Sequence, residues 1–212
     1  MDREKKKELI RRTIMENAFA LCAQRGIESV SLGEIAAASD IGRATLFRYF
    51  GSKLELVVAV SVWKWQEYVD FYRGSFSEKR IAQMTGVEYL RMYLDSFIDL
   101  YRNHPDILRF NYSFNNYIRT EKNAEKEIGS YVQTVKGIET KFFELYDRGM
   151  KDRTLNPAFT REAMFSGSFH IMLAAATRFA VGLLYISKDA SEPEQELVML
   201  EQMLLHTYST QT

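Results

Sequence analysis

The chain has 212 residues, 46% hydrophobic and 26% charged, with 28 basic residues against 28 acidic ones, one Cys, three Pro and eleven Gly. That length and composition suit one or two folded domains with a real core and exclude wholesale disorder. Cys22 alone excludes an intrachain disulfide, and the widely spaced His104, His170 and His206 argue against a zinc or other metal site. No apolar run reaches membrane-spanning length, and the basic start MDREKKKELIRR lacks the apolar segment of a signal peptide, so the expected compartment is the cytoplasm.

Few prolines, and no Asn-Gly or Asp-Gly hairpin turns, predict an all-α chain. A first helix runs from about Glu4 to Arg25, with Ile10, Ile14, Ala18, Leu21 and Cys22 on one face and Gly26 as its stop. Ser31-Leu32-Gly33-Glu34 is a capping box opening a short helix to about Ser39. Asp40-Ile41-Gly42 is a tight turn, and residues 43–50 form a second short helix. Gly51 breaks it, and Ser52-Lys53-Leu54-Glu55 supplies another capping box for a long helix to about Tyr72. The pair of short helices is a helix-turn-helix whose core is Ile35, Ala36, Ile41, Leu46 and Phe50. By elimination, its second helix exposes Arg43, Ala44, Thr45, Phe47, Arg48 and Tyr49, with core packing as the alternative for Phe47.

Residues 73–86 read as a loop or short irregular helix. Val87, Leu90, Leu94, Phe97, Ile98 and Tyr101 mark an amphipathic helix ending before His104-Pro105, and Pro105 starts another carrying Ile107, Phe110, Phe114 and Tyr117. The charged stretch 119–127 precedes a long helix to about Met150. Further helices follow Thr160, reaching Tyr185, and Ser191-x-x-Glu194, reaching Tyr208.

Charge divides unevenly along this order. Residues 1–53 hold ten Lys/Arg against seven Asp/Glu, a net +3, and residues 54–212 hold 18 against 21, a net −3. A mildly basic first quarter suits a polyanion. No nucleophile elbow, phosphate loop, metal-ligand spacing or paired catalytic set is present, so no catalytic residue, cofactor or enzyme activity is expected.

The pattern Ile14-x₃-Ala18-x₂-Leu21-x₄-Gly26, then Ser31-x₃-Ile35-Ala36-x₄-Ile41-x₃-Thr45-Leu46-Phe47-x-Tyr49-Phe50-x-Ser52-Lys53-x₂-Leu56, resembles the DNA-binding domain of TetR-family transcriptional regulators. The resemblance covers residues 10–56, about a quarter of the chain. It departs from the family at Asp40, where Gly is usual, at Gly42, where a Ser or Thr cap is common, at Ala44 for Gly and at Phe47 for Tyr. Asp40 tolerates the left-handed turn, and Gly42 is a modest N-cap.

The resemblance implies an N-terminal helix-turn-helix domain, residues 1–53, and a larger helical ligand-binding and dimerisation domain, residues 54–212. It implies a ligand-responsive repressor that binds a palindromic operator in double-stranded DNA as a homodimer. The alternative is a helical ligand-binding or scaffolding protein with a vestigial DNA domain. A recognition helix enters the major groove N-terminus first, which makes Arg43 the candidate for guanine O6 and N7. Thr45 suits a thymine methyl or a phosphate, Tyr49 and Lys53 suit the backbone, and Ser31 is either a cap or a phosphate contact.

An effector of largely apolar or aromatic character is expected among Trp63, Tyr93, Phe97, Tyr101, Phe110, Asn111, Phe114 and Asn115, with His170 and Arg178 as polar candidates. The alternatives are a filled aromatic core, and a partner or solvent for the last two. The last two helices are the expected homodimer surface, through Gly167, Ala174, Ala175, Ala176 and Ala180 and the stripe Leu197, Leu200, Leu204 and Tyr208. The alternative there is burial of both stripes within one subunit.

Overall fold

The computed structural model describes residues 3–122, 124–182 and 192–210, and these form eleven α-helices. Among the described residues there is no strand, only an isolated bridge between Leu155 and Ser209, and no helix is long and apolar enough to cross a membrane. The all-α expectation holds. The chain packs into two compact units, residues 1–67 with 109–134 and residues 68–108 with 135–212.

In the first unit, α1 (Arg3–Arg25) buries Ile14, Ala18 and Cys22. It ends where the Gly26 N–H donates to Cys22 O at 2.9 Å with φ at +83°, a conformation open to glycine at little cost. The capping box forms on α2 (Leu32–Ala38): Glu34 N–H donates to Ser31 Oγ at 3.2 Å, and Ser31 N–H donates to Glu34 Oε2 at 2.8 Å. Asp40 takes the left-handed turn at φ +52°, and Ile41 N–H donates to Ala36 O at 3.0 Å, closing the turn onto α2. Gly42 then starts α3 (Arg43–Tyr49) without a side-chain cap.

α4 (Lys53–Gly74) departs from its expected capping box in one detail. Ser52 Oγ accepts from Glu55 N–H at 3.0 Å, but the Glu55 carboxylate reaches one residue further back, to Gly51 N–H at 2.8 Å. The core of this unit joins Ile14, Ile35, Leu46, Phe50 and Leu56 with Phe110 and Phe114 of α7 (Pro105–Thr120). Ser113 of α7 accepts a 2.6 Å hydrogen bond from Ile27 N–H, so α7 is pinned to the segment that leads into α2. Cys22 is fully buried, and burial pushes its thiol up to about 11, leaving a packed and unreactive group. The short α8 (Ala124–Glu127) lies in the charged stretch.

In the second unit, α5 (Glu78–Gln83) occupies the stretch read as a loop or irregular helix. α6 (Gly86–Asn103) opens with a capping box, Thr85 with Glu88, that the periodicity reading passed over. Gly86 abuts Gly149 of α9 (Gly129–Lys151) so closely that a Cβ on Gly86 would run into the Gly149 backbone. α6 also packs against α10 (Arg161–Val181) and α11 (Pro193–Tyr208). α10 stops at Gly182, whose φ is +108°. Tyr185 and Ser191, the expected end of this helix and cap of the next, lie outside the described residues. Glu192 takes the N-cap position of α11, with Pro193 following.

Candidate nucleic-acid interface

α3 is seven residues long, too short to stand in water alone, so its orientation is set by what it buries. Leu46 and Phe50 are fully buried, and Tyr49 packs in part against the same core. A helix committed inward through these positions turns Arg43, Ala44, Phe47 and Arg48 to solvent, with Thr45 half-buried. Phe47, the ambiguous residue, is 50% exposed, so it lies on the outer face.

The neighbouring cations are placed differently from one another. Lys5, Lys6 and Lys7 are exposed on α1. Lys5, Lys7 and Arg11 line a shallow cleft with Arg48, Tyr49 and the carboxylates Glu4 and Glu8. Arg11 lies 4.8 Å above the Phe50 ring, and Lys53, half-buried at the start of α4, lies 5.5 Å above the ring of Tyr117. Ser31 is engaged as a cap, its hydroxyl also donating to Glu34 at 2.8 Å. Arg25 pairs with the same carboxylate at 2.8 Å. The bonds from Ser31, and then Arg25, hold the Glu34 carboxyl down to about 2.

One contact in this region escaped the sequence reading. The Arg43 guanidinium lies across Gly33 of α2, where a Cβ would come within 2.7 Å of Nε and 2.9 Å of Cζ. The only hint in the sequence was a glycine in a helix beside a capping box that does not require it.

The residues expected around an effector divide between the units. In the first, Phe110 stacks near Phe114 with ring centroids 6.3 Å apart, Asn115 is half-buried, and Trp63 carries Lys64 at 4.0 Å over its ring. Asn111 is 2% exposed, and among the described residues its Oδ1 has no hydrogen-bond partner. In the second, Tyr93 meets Phe97 and Phe142 edge-on at 5.3 and 5.0 Å, and Tyr101 meets Phe179 at 6.2 Å. The Tyr93 hydroxyl is likewise buried, and burial drives its pKa upward against the opposing influence of the Ser168 hydroxyl. His170 and Arg178 are exposed: His170 lies beside Ser166 at 3.4 Å with its ring 5.9 Å from that of Phe169, which meets Phe97 at 6.0 Å, and Arg178 donates to Gly182 O at 3.0 Å.

The expected association stripe also changes. Ala176, Ala180, Leu197, Leu204 and Tyr208 are buried within the protomer, because α10 and α11 turn them onto their own unit. The apolar side chains left exposed on these helices are Ile171, Val181, Met199 and Met203, beside the exposed Ala174. Among the described residues no group of three or more His, Cys, Asp or Glu side chains could hold a metal ion.

A cored helix-turn-helix with a solvent-facing, cationic second helix defines the class of helix-turn-helix DNA-binding proteins. Residues 14–60 match the family described as "Bacterial regulatory proteins, tetR family". An HTH-type transcriptional regulator of Staphylococcus aureus (strain MRSA252) is 27% identical over 114 residues, covering 54% of this chain and 60% of the relative's length. Two solved structures share the fold across nearly the whole chain. A tetR-family regulator from Shewanella sp. PV-4 aligns at TM-score 0.69 and 20% identity, covering 95% of this chain and 99% of that one. The regulator FadR of Bacillus subtilis, solved in complex with stearoyl-CoA, aligns at TM-score 0.71 and 13% identity, covering 92% and 98%. The resemblance seen in the sequence therefore holds for the N-terminal part: residues 14–60 match the tetR-family domain, and the chain shares the all-helical fold of solved tetR-family regulators. Each of these relatives is described as a regulator of transcription.

Proposed function

We propose that the chain is a sequence-specific transcriptional regulator, a ligand-responsive repressor that binds a palindromic operator as a homodimer in the cytoplasm. The observation that carries this reading is the division of α3 and its C-cap, with Leu46 and Phe50 fully buried and Arg43, Ala44, Phe47 and Arg48 exposed. Arg43 reads a base edge, Thr45 and Tyr49 settle the helix in the major groove, and Arg48 and Lys53 hold phosphates. Ser31 acts by building the start of α2. Residues 1–53 are the reading domain and residues 54–212 the domain that senses ligand and dimerises.

The homodimer uses the outward faces of α10 and α11, where Ile171, Met199 and Met203 leave apolar surface uncovered. The effector is largely apolar. The aromatic cluster of the second unit, Tyr93 with Phe97 and Phe142, supports that chemistry, as does the likeness to a regulator solved with stearoyl-CoA. Effector binding favours a subunit arrangement that no longer fits two adjacent major grooves, and it does so only as far as it binds that arrangement more tightly.

Fluorescence anisotropy with a labelled duplex carrying the gene's upstream DNA, titrated over a range of salt, tests the reading. The expected result is binding by a species of dimer mass that weakens steeply as salt rises. A monomer that ignores duplexes at low salt would refute it and favour the scaffolding alternative.

A further inference from the structure

We propose that Gly33 is a positioning residue for base reading: by lacking a Cβ it opens a seat on α2 in which the Arg43 guanidinium rests. The inference builds on the assignment of Arg43 as the base-reading side chain. Three observations lead to it. First, Gly33 sits in the first turn of α2, and its φ lies outside the left-handed range, so the backbone there does not call for glycine. Glycine is a poor helix former, so a residue with a side chain would serve α2 better. Second, the space does call for glycine. A Cβ at position 33 would fall on Nη2, Nε and Cζ of Arg43 at once, with Nε at 2.7 Å and Cζ at 2.9 Å. Third, the seat is one of shape and not of charge. The nearby Glu34 carboxylate is taken by Arg25 and by Ser31, and among the described residues no carboxylate forms an ion pair with Arg43.

Together these place the guanidinium over the α2 backbone at Gly33, with no ion pair committing its N–H groups. Arg43 is the first residue of α3 and would otherwise swing freely on four torsions. Seating it on Gly33 restricts where its donors lie relative to α3, and a bidentate contact to guanine needs that restriction. Because the clashing atoms are the far end of a flexible chain, a side chain at position 33 displaces Arg43 without unfolding α2. The effect of substitution therefore falls on discrimination between sequences and not on stability.

The test uses the full chain. Selection from a pool of randomised duplexes with the unmodified protein supplies the probe, and anisotropy titrations then compare that duplex with versions carrying each G·C pair replaced. The variants are Gly33→Ala, Gly33→Ser, Arg43→Ala and Gly33→Ala combined with Arg43→Ala. Arg43→Ala is expected to lower discrimination at one base pair by about tenfold, the scale of one bidentate contact. Gly33→Ala and Gly33→Ser are expected to lower it severalfold at that same pair, with unspecific binding and the melting midpoint unchanged or raised. Gly33→Ala should add nothing once Arg43 is gone. If Arg43→Ala loses discrimination while both Gly33 variants keep it, the seat has no role and the reading of Arg43 stands. If Gly33→Ala weakens binding to every duplex alike, Gly33 serves close approach of the DNA backbone, and the proposal fails. If Arg43→Ala discriminates normally, the assignment of Arg43 falls and this inference with it.

Discussion

Leu46 and Phe47 are adjacent on α3 and about 100° apart round its axis, one fully buried and the other 50% exposed. Truncating each to alanine therefore separates what holds the helix from what it presents. Leu46→Ala removes a core side chain packed with Ile35 and Phe50 and should cost about 2–5 kcal/mol. Complete burial of a phenylalanine contributes about 1.5–3 kcal/mol, so half-exposed Phe47 has no more than about 1–1.5 kcal/mol to lose. Both tryptophans, Trp63 and Trp65, lie within residues 1–67 of the first unit, so their fluorescence reports its unfolding. With a urea slope of about 2 kcal/mol/M, Leu46→Ala should lower the midpoint by roughly 1–2.5 M, and Phe47→Ala by less than about 0.8 M. Phe47→Ala should nonetheless weaken duplex binding at a protein concentration where it is fully folded. A midpoint loss for Phe47→Ala equal to that of Leu46→Ala would mean that α3 lies the other way round, and the proposed reading surface would fail.

Four further outcomes follow from other contacts. Ser31→Ala should cost about 1 kcal/mol by removing the α2 cap, measured by the same urea titration. The Glu34 carboxyl is held down to about 2, so its contribution is present above its ordinary value near 4.5 and is lost as pH falls from there toward 2; Glu34→Gln should flatten that part of an acid titration followed by tryptophan fluorescence. Gly86→Ala forces a methyl into the Gly149 backbone where α6 meets α9, and Gly149→Ala forces one into the buried Leu155 side chain; each should cost about 1–3 kcal/mol or more, seen as an earlier thermal transition in far-ultraviolet circular dichroism. Lys53→Ala should weaken binding to specific and random duplexes alike and lower the salt slope by about one, whereas a loss confined to one sequence would make Lys53 a base reader.

The helix-turn-helix could be read from sequence because its determinants are local and strongly typed. Ser31 and Glu34 close a box three residues apart, Asp40 takes the left-handed turn, and Ile35, Ala36, Leu46 and Phe50 sit at offsets that point all four inward. What escaped that reading lies between elements. Gly33 and Arg43 belong to different helices, and no helical period links them. The Glu55 carboxylate takes Gly51 N–H in place of Ser52 N–H, a choice that the spacing Ser-x-x-Glu does not encode. On α10 and α11 both faces carry apolar residues. Periodicity therefore could not tell Leu197, Leu204 and Tyr208, which are buried, from Met199 and Met203, which are 54% and 57% exposed. Charge was a weak guide for a related reason. Arg11 and Lys53 also lie over the Phe50 and Tyr117 rings, so a count of cations does not say which face they serve.

Methylation interference is the most direct measurement of whether α3 reads DNA from the major groove in a symmetric pair. Guanine N7 lies in that groove beside the expected position of Arg43. Partially methylated duplex recovered from the complex should be depleted of N7-methylguanine in two clusters related by two-fold symmetry and about one helical turn apart, ~10 base pairs. Uniform recovery of methylated guanines from a complex that forms well would contradict the account.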